Sequence, residues 1–344
     1  VLRNNLASIF EEEVFQKLLK RVAQFVKAKV FQTDDTRGFA LELSSVKEIN
    51  RALAAEDHEP FADLPKNQIS AIDEVEAQQF METLEGDASL LYEFEAIANG
   101  LLSPEEIEEA GAARSGTIRA SKATLMSPEL LGEIREEVEK TGGSRGLIST
   151  VKLIKSAVIV LKKVISRLID KTDHGIYPTI VEEIAREFYL ANAGKWLWDN
   201  IKKETEDAFG KDEKACGGTA FLSMLKAEAE AGNTRRIVLV GHSAGTIYIS
   251  NLLKQAENLG LPETVKFDVV FLAGAATVDL VAETLEVAGN RIQHFRSLAL
   301  SDSKEIADKL CGILYPRSLL YMVSGVLESK VDQPLIGMQR YYLG

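Results

Sequence analysis

Arg235-Arg-Ile-Val-Leu-Val-Gly-His-Ser-Ala-Gly-Thr246 is the stretch on which the fold turns. Its first half is a short, uninterrupted apolar run rich in β-branched residues, which predicts a strand buried on both faces of a parallel sheet. Its second half is Gly-x-Ser-x-Gly. A sharp turn, with the strand ending at Val240 and a helix starting beside Ala244, holds such a serine in a strained conformation with its oxygen exposed above the sheet. Glycines are expected because side chains there would collide with the neighbouring strand or helix. Ser243 is therefore the predicted nucleophile, in an elbow made by Gly241, His242 and Gly245. The backbone N–H of Ala244, at the helix N-terminus, points where an oxyanion would form and gains from the helix dipole.

Outward from the elbow, residues 246–258 place Ile247, Leu252, Leu253 and Ala256 at helical spacing, while 267–273 and 291–300 form two further strand-like runs. Strand, helix, strand, helix, strand predicts an α/β fold with a doubly wound parallel sheet. Upstream the chain reads almost entirely as helix. Residues 6–30 repeat Ile9, Phe10, Val14, Leu18, Val22, Phe25 and Val26 at three- and four-residue steps, and further helices are predicted at 45–55, from Ser103-Pro104, at 151–169 and over 179–209, broken near Ala193-Gly194. Only 38–43 alternates like a strand. Residues 110–128 and 141–146, rich in Gly, Ser, Ala and Thr, read as linkers or mobile loops. The chain thus divides into a mainly helical portion with cap or insertion elements, 1–234, and a core segment carrying the elbow, 235–344.

A serine nucleophile needs a base and an acid that orients the base, and on a strand–elbow–helix scaffold both follow the serine. Asp302 lies at the end of the third strand and Asp279 just past the second. Both sit at carboxyl ends, where ligands gather. Asp302 is the preferred acid, Asp279 the alternative, and either could instead be a helix cap. Of the four histidines, His58 and His174 precede the serine and His242 sits in the elbow itself. His294 alone follows it, but inside a strand, where a packing role is the commoner one.

The 344 residues are 46% hydrophobic and 27% charged, enough for one large domain or two small ones. A net charge of −12 repels phosphate backbones, which argues against a nucleic-acid partner. Between 73 and 109 there are twelve acids and no Lys or Arg, a pattern that reads as a solvated helical face. Cys216 and Cys311 are too far apart to suggest a disulfide framework or a metal pair, so a reducing, cytoplasmic setting is expected, and no metal or cofactor is implied. The greasy stretch 151–169 is interrupted by Lys152, Lys155, Lys162, Lys163 and Arg167, so it is not a membrane span. Its apolar face predicts either permanent packing, with the basic residues solvated, or a cap hinged at 141–146 and 172–175 that opens toward a lipid surface in a transient membrane contact.

At Gly241-His-Ser-Ala-Gly-Thr246, Phe271-Leu-Ala-Gly-Ala-Ala-Thr-Val-Asp-Leu280 and Tyr315-Pro-Arg-Ser-Leu-Leu-Tyr-Met-Val-Ser-Gly325, the chain resembles a family of bacterial α/β-hydrolase-like proteins. The likeness extends upstream through Asp173-His-Gly-Ile-Tyr177 and Trp198-Asp-Asn-Ile-Lys202 to the first helix. It implies that 235–344 is the C-terminal part of an α/β-hydrolase sheet, with a serine hydrolase acting by acyl transfer on a small-molecule or lipid ester, esterase- or lipase-like. In that family a His-Gly-Gly loop on an early strand supplies the second oxyanion donor, and a His-Gly segment near the carboxyl terminus supplies the base. Neither is found in this sequence, so the expectation is an internal piece of a longer protein, with the base outside it. The competing expectation is a catalytically inactive hydrolase fold that serves as an interaction module.

Overall fold

The computed structural model describes residues 9–10, 12–30, 69–100, 127, 130–134, 136, 145–189, 194–233, 236–311 and 314–342. The strand expected at 38–43, the helices expected at 45–55 and from Ser103, and all of 110–128 except Ser127 lie outside the described residues. Two compact units emerge, one drawn from Val1–Lys195 and Lys309–Pro316, the other from Trp196–Asp308 and Arg317–Gly344. The division at 234/235 marks where helices give way to strands; compactness groups the two helices before the first strand with the sheet.

The first unit is helical: α1 (Glu13–Val30), α2 (Glu74–Glu85), α3 (Ala88–Gly100), α4 (Arg145–Asp170) and α5 (Ile176–Ile184), which runs into a π-helical turn, Ala185–Tyr189. α4 is its central element and packs against α1, α2, α3 and α5. Leu153, Ile154, Ala157, Val158, Leu161, Val164, Ile165 and Leu168 are all buried. The apolar face of 151–169 is therefore packed within the helical unit in this structure. Of the expected hinge at 141–146, residues 141–144 lie outside the described residues and Arg145 and Gly146 belong to α4; at 172–175, Asp173 and His174 are buried in a bonded corner. There the His174 N–H donates to Thr179 Oγ1 at 2.9 Å and the Gly175 N–H to Asp173 Oδ1 at 3.0 Å.

Arg167, expected on the solvated face, is buried instead. Its guanidinium donates to Glu183 Oε1 at 2.9 Å and to the Thr172 carbonyl at 3.1 and 3.2 Å, and lies 2.8 Å from Glu182 Oε2. Glu182 Oε1 in turn accepts the Tyr315 hydroxyl at 2.6 Å and meets His174 Nδ1 at 2.8 Å. Burial alone would raise the pKa of Glu182, but His174 and Arg167 outweigh it and hold the carboxyl well below the usual range. The acidic run also has a second use. Glu74, Glu82, Glu85 and Glu95 are solvated, whereas Glu76, Asp87 and Glu93 pair with Lys29, Arg21 and Lys17 of α1.

The second unit carries α6 (Gly194–Asp207), α7 (Gly217–Glu230), β1 (Ile237–His242), α8 (Gly245–Asn258), β2 (Phe267–Leu272), α9 (Val278–Ala288), β3 (Ile292–Leu298), α10 (Asp302–Ala307) and α11 (Leu319–Met322), which continues into a π-helical turn, Val323–Leu327. The three strands are parallel, in the order β1-β2-β3. α8 packs on β1 and against α9, so the two crossover helices share one face of the sheet. Phe267, Val269 and Phe271 point to that face and are at most 2% exposed. On the other face Val238 is 51% exposed, Val240 61% and Leu298 57%. The expectation of strands buried on both faces is therefore corrected: on the face away from the two crossover helices β1 is exposed and β2 only partly buried, and β3 is exposed along most of its length. No helix among the described residues is long and apolar enough to cross a membrane.

Leu161 is fully buried at the centre of the helical unit. Leu161→Ala should lower its unfolding free energy by about 2–5 kcal/mol in a denaturant titration, through lost burial and a cavity; a shift below about 1 kcal/mol would be incompatible with α4 as the central helix.

Candidate active site

Ser243 has φ +51°, in the left-handed region that an L-residue with a short polar side chain enters only at some cost. The backbone around it explains how the conformation is held. The Ser243 N–H donates to the Leu272 carbonyl at 3.1 Å, extending the β1–β2 ladder one residue past the strand. The Ser243 carbonyl accepts three donors: the Thr246 N–H and the Ala275 N–H, each at 3.1 Å, and the Thr246 hydroxyl at 2.8 Å. The serine is half-buried and His242 is exposed beside it.

The two elbow glycines differ in their reasons. A Cβ on Gly241 would lie 2.8 Å from Ile249 Cδ1 and 2.9 Å from the backbone of Gly245, so the close approach of helix to strand demands glycine there. A Cβ on Gly245 would meet nothing within 4 Å, so the collision expected at that position does not occur. Ala244 precedes the first residue of α8, which has no side-chain cap, and its N–H has no hydrogen-bond acceptor among the described residues.

Across the carboxyl ends of the strands runs the segment 333–342. A Cβ on Gly337 would sit 2.2 Å from the Gly274 nitrogen, so two backbones touch there, and the Gly337 N–H donates to the Gly274 carbonyl at 2.8 Å. Beside β3 this segment borders an open pocket of about 390 Å3, lined in part by Phe295, Leu300, Ile336 and Tyr342.

Asp302 is the first residue of α10, after the cap Ser301, and is half-buried. Its carboxylate accepts the Tyr321 hydroxyl at 2.6 Å, and its N–H donates to Gln339 at 2.8 Å. Burial raises the Tyr321 pKa and so keeps it a donor. Asp279 lies in the first turn of α9, is exposed, and accepts Gln333 at 3.2 Å. Neither acid is itself the cap; Thr277 and Ser301 hold those positions.

His294 pairs with Asp268 rather than with the serine. Its Nδ1 is 2.7 Å from Asp268 Oδ1, and Arg236 binds the other oxygen. The His294 bond and then the Arg236 bond hold Asp268 below the ordinary carboxylate range, outweighing its desolvation. Asp268 and His294 are register partners four residues before Leu272 and Leu298, so the imidazole lies about 13 Å from the elbow along the strands. The pairing depends on register alone, which the spacing of two separate strands does not announce. His174 is buried in the helical unit and His58 lies outside the described residues. Among the described residues no group of three His, Cys, Asp or Glu could hold a metal ion.

Glu305, one turn after Asp302, escaped the sequence pattern because its burial is tertiary. It is fully buried, neither carboxyl oxygen has a hydrogen-bond partner among the described residues, and burial followed by Asp302 and Asp308 pushes its pKa up to about 8 against the pull of Arg340. No protein-family model, curated protein or solved structure matches this chain.

Two tests follow from this geometry. Gly241→Ala should destabilise the sheet unit by about 1–3 kcal/mol through overpacking, whereas Gly245→Ala should be neutral or stabilising by up to about 1 kcal/mol; equal losses on thermal unfolding would contradict the elbow geometry. For Glu305, the folded protein keeps its proton between the ordinary value of 4.5 and about 8 while the unfolded chain has lost it. Stability from this group is therefore present below about 4.5 and lost as pH rises to about 8. Glu305→Gln should remove that loss, its melting temperature gaining on wild type from pH 5 to pH 8; parallel curves would show that Glu305 is already ionised.

Proposed function

We propose that this chain carries the nucleophile of an α/β-hydrolase-type serine hydrolase, akin to the bacterial family it resembles, that transfers acyl groups from carboxylic esters. The observation that carries this is Ser243 at φ +51° between a parallel strand and a helix N-terminus. A strained residue held by four backbone and hydroxyl hydrogen bonds is a site where structure has been committed to geometry. In the reaction, Ser243 Oγ attacks the ester carbonyl carbon while a base takes its proton, and the carbonyl oxygen becomes an anion facing the Ala244 N–H. Collapse expels the alcohol, which takes the proton back, and water then releases the acid by the same steps. Asp302, tied at the end of β3 by Tyr321 and Gln339, is the acid proposed to orient the base. The apolar pocket beside β3 suits the organic part of an ester. Two cysteines in 344 residues, Cys216 and Cys311, are in keeping with a reducing, cytoplasmic compartment as part of this reading.

The second reading is an inactive hydrolase fold that binds a partner. What favours it is the placement of His294, engaged by Asp268 about 13 Å from the elbow. A fluorophosphonate probe and short p-nitrophenyl esters separate the two. Wild type should be labelled and active, and Ser243→Ala should lose both while its stability changes by about 0.5 kcal/mol or less. Asp302→Asn should cut turnover by orders of magnitude and Asp279→Asn little. Labelling that survives Ser243→Ala would remove the assignment, and the opposite order of the two Asp variants would exchange the acids.

A further inference from the structure

The strain at Ser243 has to be opposed by something specific, because the residue would otherwise relax toward negative φ. Among the three donors to its carbonyl, two come from one residue. Thr246 is fully buried, and its hydroxyl is used in both directions: it donates to the Ser243 carbonyl at 2.8 Å and accepts the Ala276 N–H at 3.0 Å. The third donor, the Ala275 N–H, belongs to the same loop after β2. That loop is itself strained, with Ala273 at φ +43°, and it is wedged from the far side where Gly337 touches Gly274. The methyl of Thr246 completes the fit, since a Cβ on Gly274 would come within 3.0 Å of Thr246 Cγ2. One side chain thus joins the exits of β1 and β2 by a hydroxyl bridge and a close packed contact.

We propose that Thr246 is a positioning residue that holds Ser243 in its reactive backbone conformation by clamping the Ser243 carbonyl to the loop after β2. The claim rests on the hydrolase reading for its catalytic consequence, but the clamp itself is a property of the fold. Valine has the shape of threonine without the hydroxyl, so Thr246→Val removes the bridge and keeps the packing. Serine keeps the bridge and loses the methyl. Ser250 provides the control: its hydroxyl is equally buried one turn later in α8, donates to the Thr246 carbonyl at 2.9 Å and makes no bond to the elbow.

The experiment measures fluorophosphonate labelling rates and, independently, amide hydrogen exchange of peptides covering 240–247 and 273–277, in wild type, Thr246→Val, Thr246→Ser and Ser250→Ala. A displaced nucleophile loses rate steeply, on the order of a hundredfold per ångström. Thr246→Val should therefore label at least about tenfold more slowly, with ester kcat reduced and KM little changed. Exchange at the Ala275 N–H, which bonds Ser243 and not Thr246, should accelerate by about tenfold or more. Thr246→Ser should restore both to within about threefold, and Ser250→Ala should lower the melting temperature without moving either. Wild-type labelling in Thr246→Val, or equal slowing in Ser250→Ala, overturns the clamp. If wild type itself is not labelled, the hydrolase reading falls, and the clamp is decided by exchange: unchanged protection at Ala275 in Thr246→Val overturns it, and loss confined to the two peptides upholds it.

Discussion

A single backbone angle organises the strand unit. Placing an L-serine at φ +51° costs on the order of 1–2 kcal/mol, and such a conformation persists only where neighbouring groups over-determine it. Here they do so from three directions. The β1–β2 ladder reaches past the strand through the Ser243 N–H, the first turn of α8 returns two donors to the Ser243 carbonyl, and the loop after β2 supplies a third. The loop is braced in turn by 335–338, whose Gly337 comes into backbone contact with Gly274. Strand register, helix start and the crossing segment all converge on one peptide unit.

The sheet that bears this elbow is lopsided. Both crossover helices lie on one face, where Phe267, Val269 and Phe271 are buried, and Phe295 meets Phe271 edge-on with ring centroids 5.2 Å apart. The opposite face leaves Val238, Val240 and Leu298 to solvent and carries the Arg236–Asp268–His294 cluster. Parallel sheets are ordinarily covered on both faces. Alternating exposure along a run as apolar as Ile237–Val240 follows from both crossover helices lying on one side.

Charge is handled in opposite ways in the two units. In the helical unit, the buried carboxyl of Glu182 is surrounded by Arg167, His174 and Tyr315 and stays ionised. In the strand unit, the buried carboxyl of Glu305 faces Asp302 and Asp308, has no hydrogen-bond partner among the described residues and holds its proton up to about 8. Removing one member of the first cluster would strand the others without compensation, whereas neutralising Glu305 relieves a cost that the fold already bears.

Local chemistry was legible wherever it is written in consecutive residues. The helical period of 246–258, with Ile247, Leu252, Leu253 and Ala256 all buried, the three strand-like runs and the Gly-x-Ser-x-Gly turn could be read directly, because sterics between neighbours decide them. What could not be read depends on groups distant in the chain. The pairing of His294 with Asp268 follows from parallel register, and the burial of Arg167 from where Glu182 and Glu183 of the next helix fall. The central packing of α4 depends on four other helices, and the exposure of β1 on which face the crossover helices take. The sequence by itself determined the elbow and the elements that flank it, since both arise within a dozen residues. Only the tertiary structure decided what stands around the serine, because burial and charge pairing are set by whichever distant side chains close packing brings together.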